Sequence, residues 1–234
     1  MAAFLDRHPG LGLEMGAGSG RLLFPLLAMG YTIEGVELSP DMLALGAARA
    51  QRLGLIAPLH HGDMDTWDDG RKFSSILAPT FTLQLAVDPI VALRHWHGLL
   101  QEQGGLYLTL FMPYAELLGD LPENEWYEDH RVTLADGRLG LLETRHRMDR
   151  GRQIVEREHR YSLSGSPPIV HESKQRVRWM EHSQTLAMLA ECGFELERFF
   201  VDFDPLRRVT DPDGIDFDGI LTYFATKNSQ KHGI

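Results

Sequence analysis

Three glycines at alternate positions, Gly16, Gly18 and Gly20, close the stretch LGLEMGAGSGRLLF after an apolar run that ends in one acid, Glu14. Glycines spaced in this way let a backbone pass close to a ligand, because no Cβ intervenes and a positive φ is free of steric penalty. A strand that enters such a turn and leaves as a helix also aims main-chain N–H groups, and a positive dipole end, at whatever binds there. Two more acids stand after apolar runs further on, Glu37 in GVELSP and Asp63 in HGDM. The spacing separates the nucleotide classes that use such loops. The dinucleotide fingerprint G-x-G-x-x-G would need glycine at position 21, where Arg21 stands; here the third glycine comes one residue early, giving E-x-G-x-G-x-G. A phosphate-binding P-loop would need G-K-[ST] at the end of the loop, and none is present.

Alternating strands and helices must hold these residues. Leu11–Met15 reads as a strand, Arg21–Met29 as a helix and Thr32–Leu38 as a second strand. SPDMLALGAARAQRLG follows as a helix, with Ser39 as N-cap, Pro40 in the first helical position and Gly54 as the stop. APLHHGDM, KFSSILAPT and GGLYLTLFMP read as further strands, with a helix over Pro89–Gln101 before the last of them. This rhythm predicts an α/β fold, a Rossmann-like parallel sheet with helices on both faces and a ligand at its carboxyl edge. After Pro113 the rhythm breaks. Asp136-Gly137 and the run 149–152 are hairpin turns between alternating stretches, and IVHESKQRVRWM is another strand-like run. The α/β style then resumes with a helix over Ser183–Cys192 and the strands FELERFFVDF and GILTYFATK. The expected division is therefore a domain of residues 1–113 and 181–234, with an antiparallel β cap at 114–180 inserted after the fifth strand.

Composition narrows the function classes. A chain of 234 residues that is 43% hydrophobic can bury a full core. Its formal charge of −10 opposes a nucleic-acid partner. No apolar run approaches the roughly 18 residues of a membrane span, and the opening MAAFLDRHPG has no leader pattern. The only cysteine, Cys192, suits a reducing cytoplasm. No HExxH, paired CxxC or comparable spacing points to a metal, and no G-x-S-x-G elbow points to a serine nucleophile.

The ordered set of LEMGAGSGR, GVELSP and HGDM resembles that of class I S-adenosylmethionine-dependent methyltransferases, over Leu11 to about Pro113 and again from LAMLAECGFELERFFVDF to the last strand. The resemblance implies a seven-stranded sheet whose last strand is antiparallel, with S-adenosyl-L-methionine as cofactor. It implies that Glu37 takes the two ribose hydroxyls, that Asp63 accepts from the adenine amino group, and that Met64 N–H meets a ring nitrogen. Glu14 would order the methionine end, and Gly16, Ala17, Gly18, Gly20, Arg21, Leu38, Met42, Ala78 and Pro79 would complete the cofactor site. Related enzymes usually carry a helical segment before the glycine strand, where only Met1–Gly10 precede it here; either the start lies further upstream or the cap alone closes the site. Taken singly, Glu37 could be a solvated strand-end acid and Asp63 a turn residue. Their order, each after a strand, is what makes the set specific.

Acceptor residues are less marked. Thr80, Phe81 and Gln84 follow the fourth strand, at the edge where a methyl acceptor would lie. In the cap, His159 and Tyr161 share one strand face, and His171, Gln175, Val177 and Trp179 fall on the odd face of another. His159, Tyr161 or His171 could take a proton, and no spacing singles one out, so the catalytic residue stays open. The basic run from Arg145 to Arg160 reads as the solvated face of a hairpin, or more sharply as a lip for a carboxylate or phosphate. The expectation is methyl transfer to O or N of a small molecule, by a monomer or homodimer with neither nucleic acid nor membrane as partner. The alternatives are a cofactor-binding protein with other chemistry, such as S-adenosylmethionine cyclisation or sensing, and a nicotinamide oxidoreductase, against which Arg21 stands.

Overall fold

The computed structural model describes residues 1–204, 206–207 and 219–228. It divides the chain into two compact units, Met1–Phe111 with Glu181–Ile234, and Met112–Met180. The first unit opens with α1 (Ala2–Leu5), β1 (Gly12–Met15), α2 (Leu23–Ala28), β2 (Ile33–Glu37) and α3 (Pro40–Leu53). It continues with β3 (Leu59–His61), β4 (Phe73–Ala78), a 3-10 turn at Thr82–Leu85, α4 (Pro89–Leu99) and β5 (Leu100–Leu110). The second unit holds α5 (Tyr114–Leu118) and strands β6 (Tyr127–Thr133), β7 (Leu139–Asp149), β8 (Ile154–Leu163) and β9 (Ile169–Arg178). The chain returns to the first unit through α6 (His182–Glu191), β10 (Phe194–Val201) and β11 (Leu221–Lys227).

Seven strands of the first unit form one sheet in the order β10-β11-β5-β4-β1-β2-β3. β1 runs parallel to β2 and β4, whereas β11 is antiparallel to both β5 and β10. The fold is thus the expected mostly parallel α/β sheet with its last strand reversed. Strand order changes direction at β1, which puts the end of β1 at the switch point where open sheets of this kind bind ligands. Leu13, Met15, Val36, Ile76, Leu77, Leu106 and Leu108 are fully enclosed. Cover on both faces explains why these strands are continuous apolar runs rather than alternating ones. Phe4, Leu23, Phe24, Tyr107 and Phe224 cluster in one buried layer of this core. No helix among the described residues is long and apolar enough to cross a membrane.

Local chemistry sets most boundaries. The Ser39 side chain accepts from Met42 N at 3.3 Å, Pro40 needs no N–H partner at the first helical position, and Gly54 stops α3 at φ 67°. α2 is shorter than Arg21–Met29 because the glycine turn extends through Arg21 and Leu22. Its Pro25 falls in the first turn, where the missing N–H has no intrahelical bond to lose. β5 starts earlier than the apolar run suggests, directly after Leu99. α1, α5 and the 3-10 turn are too short to leave a helical period in the sequence.

In the second unit β6, β7, β8 and β9 form an antiparallel sheet in chain order. Asp136 and Asp149 shape its turns by accepting from Arg138 N at 3.1 Å and Arg152 N at 3.0 Å. One irregularity matters below. Glu128 faces Glu143 and His130 faces Leu142, so Asp129 is an extra residue in β6, a bulge.

Asp88 caps α4, accepting from Ile90 N at 2.9 Å and Val91 N at 3.4 Å. Asp88→Ala should lower the unfolding free energy by about 1 kcal/mol, read by chemical denaturation.

Candidate functional site

The glycine loop between β1 and α2 is held in left-handed geometry at Gly16 (φ 65°), Gly18 (φ 57°) and Gly20 (φ 73°), but the three glycines do different things. A Cβ on Gly20 would sit 2.4 Å from the Phe24 ring, and one on Gly16 would sit 3.0 Å from Thr82 Cγ2. Those two glycines let the loop pack. A Cβ on Gly18 would meet nothing within 4 Å, so this glycine opens onto free space. Gly18 N donates to Glu37 Oε2 at 2.8 Å, and Ser39 N donates to Glu37 Oε1 at 2.8 Å. The carboxylate at the tip of β2 therefore bridges the glycine loop to the start of α3. About half of its roughly four lone-pair positions remain for another donor. The Glu37 carbonyl accepts from Gly62 N at 3.0 Å, tying in the end of β3.

Asp63 follows that link and is exposed; its Oδ1 accepts from Asp65 N at 2.9 Å. The turn it begins is anchored from α4, where Trp96 Nε1 donates to the Met64 carbonyl at 2.9 Å and His95 Nε2 lies 2.8 Å from the Trp67 carbonyl. The anchoring roles of Trp96 and His95 are not legible in the sequence, where they read as ordinary helix residues. Leu38 and Met42 are 60% and 44% exposed beside the tip of β2.

Glu14 is 2% exposed and its Oε2 has no hydrogen-bond partner. Burial pushes its carboxyl up to about 8, with the positive charge of Arg21 pulling the other way. Arg21 is exposed and donates to Thr80 Oγ1 at 3.2 Å. Thr80 and Phe81 have φ of 54° and 67°, two consecutive non-glycine residues in left-handed geometry directly after Pro79, and such strain gathers at ligand sites. Ala78 and Pro79 are buried, whereas Arg21, Pro79, Thr80 and Phe81, with Tyr107 and Thr109, line a hollow of about 240 Å³. Gln84 is fully buried, its amide accepting from Phe111 N at 2.9 Å and donating to the Phe111 carbonyl at 3.0 Å. It fixes the strand end on which the Phe81 ring rests, with centroids 4.6 Å apart at Phe111.

In the second unit the cross-strand register sorts the candidates. Tyr161 lies opposite His171 and His159 opposite Ser173, so His159, Tyr161 and His171 share one face of the sheet. Tyr161 and His171, with His130, Leu142 and Ile169, line a hollow of about 250 Å³. Trp179, by contrast, is buried at the foot of β9. On the opposite face the basic run is spent in ion pairs. Arg145 pairs with Glu158, Arg147 with Glu156 at 2.6 Å and Arg160 with Glu172 at 2.9 Å. That is the solvated hairpin face, while Arg157 turns to the first face and pairs with the buried Glu116.

Two measurements test this geometry. Glu14 keeps its proton in the folded chain between its ordinary value of 4.5 and about 8, where the unfolded chain has lost it. Stability therefore falls as pH rises through that window. Glu14→Gln should remove a slope on the order of 1 kcal/mol per pH unit there, raising Tm at pH 8 and leaving it unchanged below pH 4, in calorimetric scans. Gly20→Ala should destabilise the chain far more than Gly18→Ala, because only the former drives a Cβ into a ring; denaturant midpoints would compare them.

Comparison with known proteins follows the same lines. Residues 13–104 match the family model of the methyltransferase domain. A stretch of 79 residues is 40% identical to dTDP-3-amino-3,6-dideoxy-alpha-D-glucopyranose N,N-dimethyltransferase from Streptomyces fradiae. That match covers 32% of this chain and spans 29% of the relative's length. An S-adenosylmethionine-dependent methyltransferase from Clostridium acetobutylicum superposes with a TM-score of 0.77 at 15% identity, over 94% of this chain and 84% of that one. The sugar N-methyltransferase KedS8 from Streptoalloteichus superposes with a TM-score of 0.71 at 22% identity, over 97% and 85%. Residues 13–104 resemble a methyltransferase domain, and the chain has the fold of the class I S-adenosylmethionine-dependent methyltransferases.

Proposed function

We propose that this protein transfers a methyl group from S-adenosyl-L-methionine to the amine nitrogen of a small-molecule sugar. The observation that carries the cofactor is the Glu37 carboxylate, pinned by Gly18 N and Ser39 N beside a glycine whose missing Cβ leaves open space. A carboxylate with spare lone pairs suits a vicinal diol, and it repels a 2′-phosphate. Glu14, Gly16, Ala17, Gly20, Arg21, Leu38, Met42, Asp63, Met64, Ala78 and Pro79 complete the proposed cofactor site. Exposed Leu38 and Met42 offer an apolar surface to an adenine ring, and Asp63 an acceptor to its amino group. The buried, unpartnered Glu14 oxygen suits the cationic methionine end. When bound, the cofactor supplies an electrophilic methyl whose C–S bonding pair stays on sulfur as the new bond to nitrogen forms.

For the acceptor, one protein similar to this chain acts on an amino sugar by name, the Streptomyces fradiae dimethyltransferase, and another, KedS8, is named a sugar N-methyltransferase. Thr80, Phe81 and Gln84 in the first unit, and His159, Tyr161, His171 and Trp179 in the cap, are the residues we assign to its recognition. Displacement at a sulfonium needs an aligned nucleophile in a dry pocket more than elaborate catalytic groups. A charge of −10 and arginines already committed to cap carboxylates favour such a molecule over a nucleic acid. The buried Cys192 suits the reducing cytoplasm, where we place the protein.

The test is incubation with S-adenosylmethionine and a panel of amino sugars, including dTDP-3-amino-3,6-dideoxy-α-D-glucopyranose. The expected result is S-adenosylhomocysteine together with an acceptor that has gained one or two methyl groups. Methylthioadenosine as the product would establish cyclisation instead, and NADH binding without S-adenosylhomocysteine binding would establish an oxidoreductase. Glu37→Ala should weaken S-adenosylhomocysteine binding by roughly ten- to a hundredfold in calorimetric titration.

A further inference from the structure

The two edges of the second unit's sheet are not alike. β6 is seven residues long and bulged at Asp129, and a bulge twists an edge out of reach of further strands. β9 pairs with β8 over ten consecutive residues without an irregularity, and among the described residues no strand lies on its outer edge. A long, regular edge is a template for another strand, and the charges along this one say which. On one face of the sheet the cross-strand pairs form two neighbouring rows. Arg145, Glu158 and Lys174 make a row of plus, minus, plus, in which Arg145 pairs with Glu158, and Lys174 Nζ lies 3.1 Å from Glu158 Oε1. Glu143, Arg160 and Glu172 make the next, of minus, plus, minus, with Arg160 2.9 Å from Glu172 and 3.9 Å from Glu143. One row ends at the open edge in a cation, Lys174, and the other in an anion, Glu172, with Ser173 between them. Their side chains are 83% and 62% exposed.

We propose that β9 pairs antiparallel with β9 of a second copy of this chain, about a two-fold axis through Ser173, joining the two four-stranded sheets into one continuous sheet. Two antiparallel strands related in this way keep their faces, so each residue meets one of the same parity. With the axis at Ser173, Lys174 stands opposite the partner's Glu172, and Glu172 opposite the partner's Lys174. Signs then alternate without a break from Arg145 through Glu158 and Lys174 to the partner's Glu172, the partner's Arg160 and the partner's Glu143. Neighbouring registers lose this match. An axis at Lys174 or at Glu172 sets like charges face to face on the axis itself, and one at Gln175 sets Lys174 against the partner's Arg176. Ser173 also lies at the middle of Ile169–Arg178, so every residue from Ile169 to Val177 is paired. Each charge keeps its present partner, because a carboxylate accepts from more than one donor and an ammonium carries three protons. Exposed ion pairs contribute little individually; the main-chain ladder carries the association, and the charges choose its register. The same charges turn away unrelated strands. On the other face His171 comes opposite the partner's Gln175, beside the hollow that His171 lines. The pairing is independent of the proposed reaction.

Sedimentation velocity of the wild-type chain should show a monomer–dimer equilibrium that added salt shifts toward monomer. Glu172→Lys and Lys174→Glu should each weaken self-association roughly tenfold, since like charges then oppose each other twice. An equimolar mixture of the two variants should restore the dimer, because each chain offers the charge that the other lacks. Recovery in the mixture also shows that both variants are folded. Ser173→Cys reads the register. Facing residues have Cα atoms about 4.5–5.5 Å apart, within disulfide reach, so mild oxidation should link this variant into a covalent dimer. The wild type, whose single cysteine is the buried Cys192, and Gln175→Cys should stay unlinked. Four results would overturn the proposal: a wild type that stays monomeric at its highest soluble concentration, charge variants that dimerise as well as the wild type, a mixture that does no better than either variant alone, or a covalent link through Gln175→Cys in place of Ser173→Cys.

Discussion

The bridge made by Glu37 is the constraint on which the carboxyl edge of this sheet depends. One carboxylate accepts from Gly18 N and from Ser39 N, so it fixes the glycine loop against the first turn of α3. Both donors would otherwise be orphans, one in a left-handed loop and one at a helix start. Through the Glu37 carbonyl and Gly62 N the same residue also sets where the Asp63 turn begins. Three sheet tips that come from distant parts of the sequence are thereby held in register around one side chain.

Much of this was legible in the sequence, and the reasons are local. Ser39, Pro40 and Gly54 mark their helix ends through chemistry that works within four residues. Buried parallel strands announce themselves as unbroken apolar runs, and the order of glycine loop, Glu37 and Asp63 survives because each sits at a strand tip. The strand faces of the second unit were legible too, since parity sorts them once the turns are placed. Other features were silent because they arise from contacts far apart in the chain. Gln84 looks like any polar residue after a strand until Phe111 arrives to occupy its amide. The three glycines look equivalent in sequence, yet only Phe24 and Thr82, placed by the fold, separate packing glycines from the open one. The bulge at Asp129 leaves no compositional trace, so the two edges of the second unit's sheet could not be told apart.

Electrostatics divides along the same lines. The arginines on one face of the second unit's sheet are matched with carboxylates across neighbouring strands, exposed pairs worth little individually and screened by salt. Among the described residues, the groups left unmatched include enclosed ones: the Glu14 oxygen in the first unit and both ring nitrogens of His146 in the second. Unmatched buried polar atoms cost stability, and the sites that retain them are often those with a use for the imbalance.

The second unit enters and leaves the chain once, between Phe111 and Glu181. An insertion of that form can be exchanged by recombination at two junctions without disturbing the order of the seven parallel and reversed strands. Whatever the second unit contributes can therefore change between lineages while the sheet it interrupts is inherited intact.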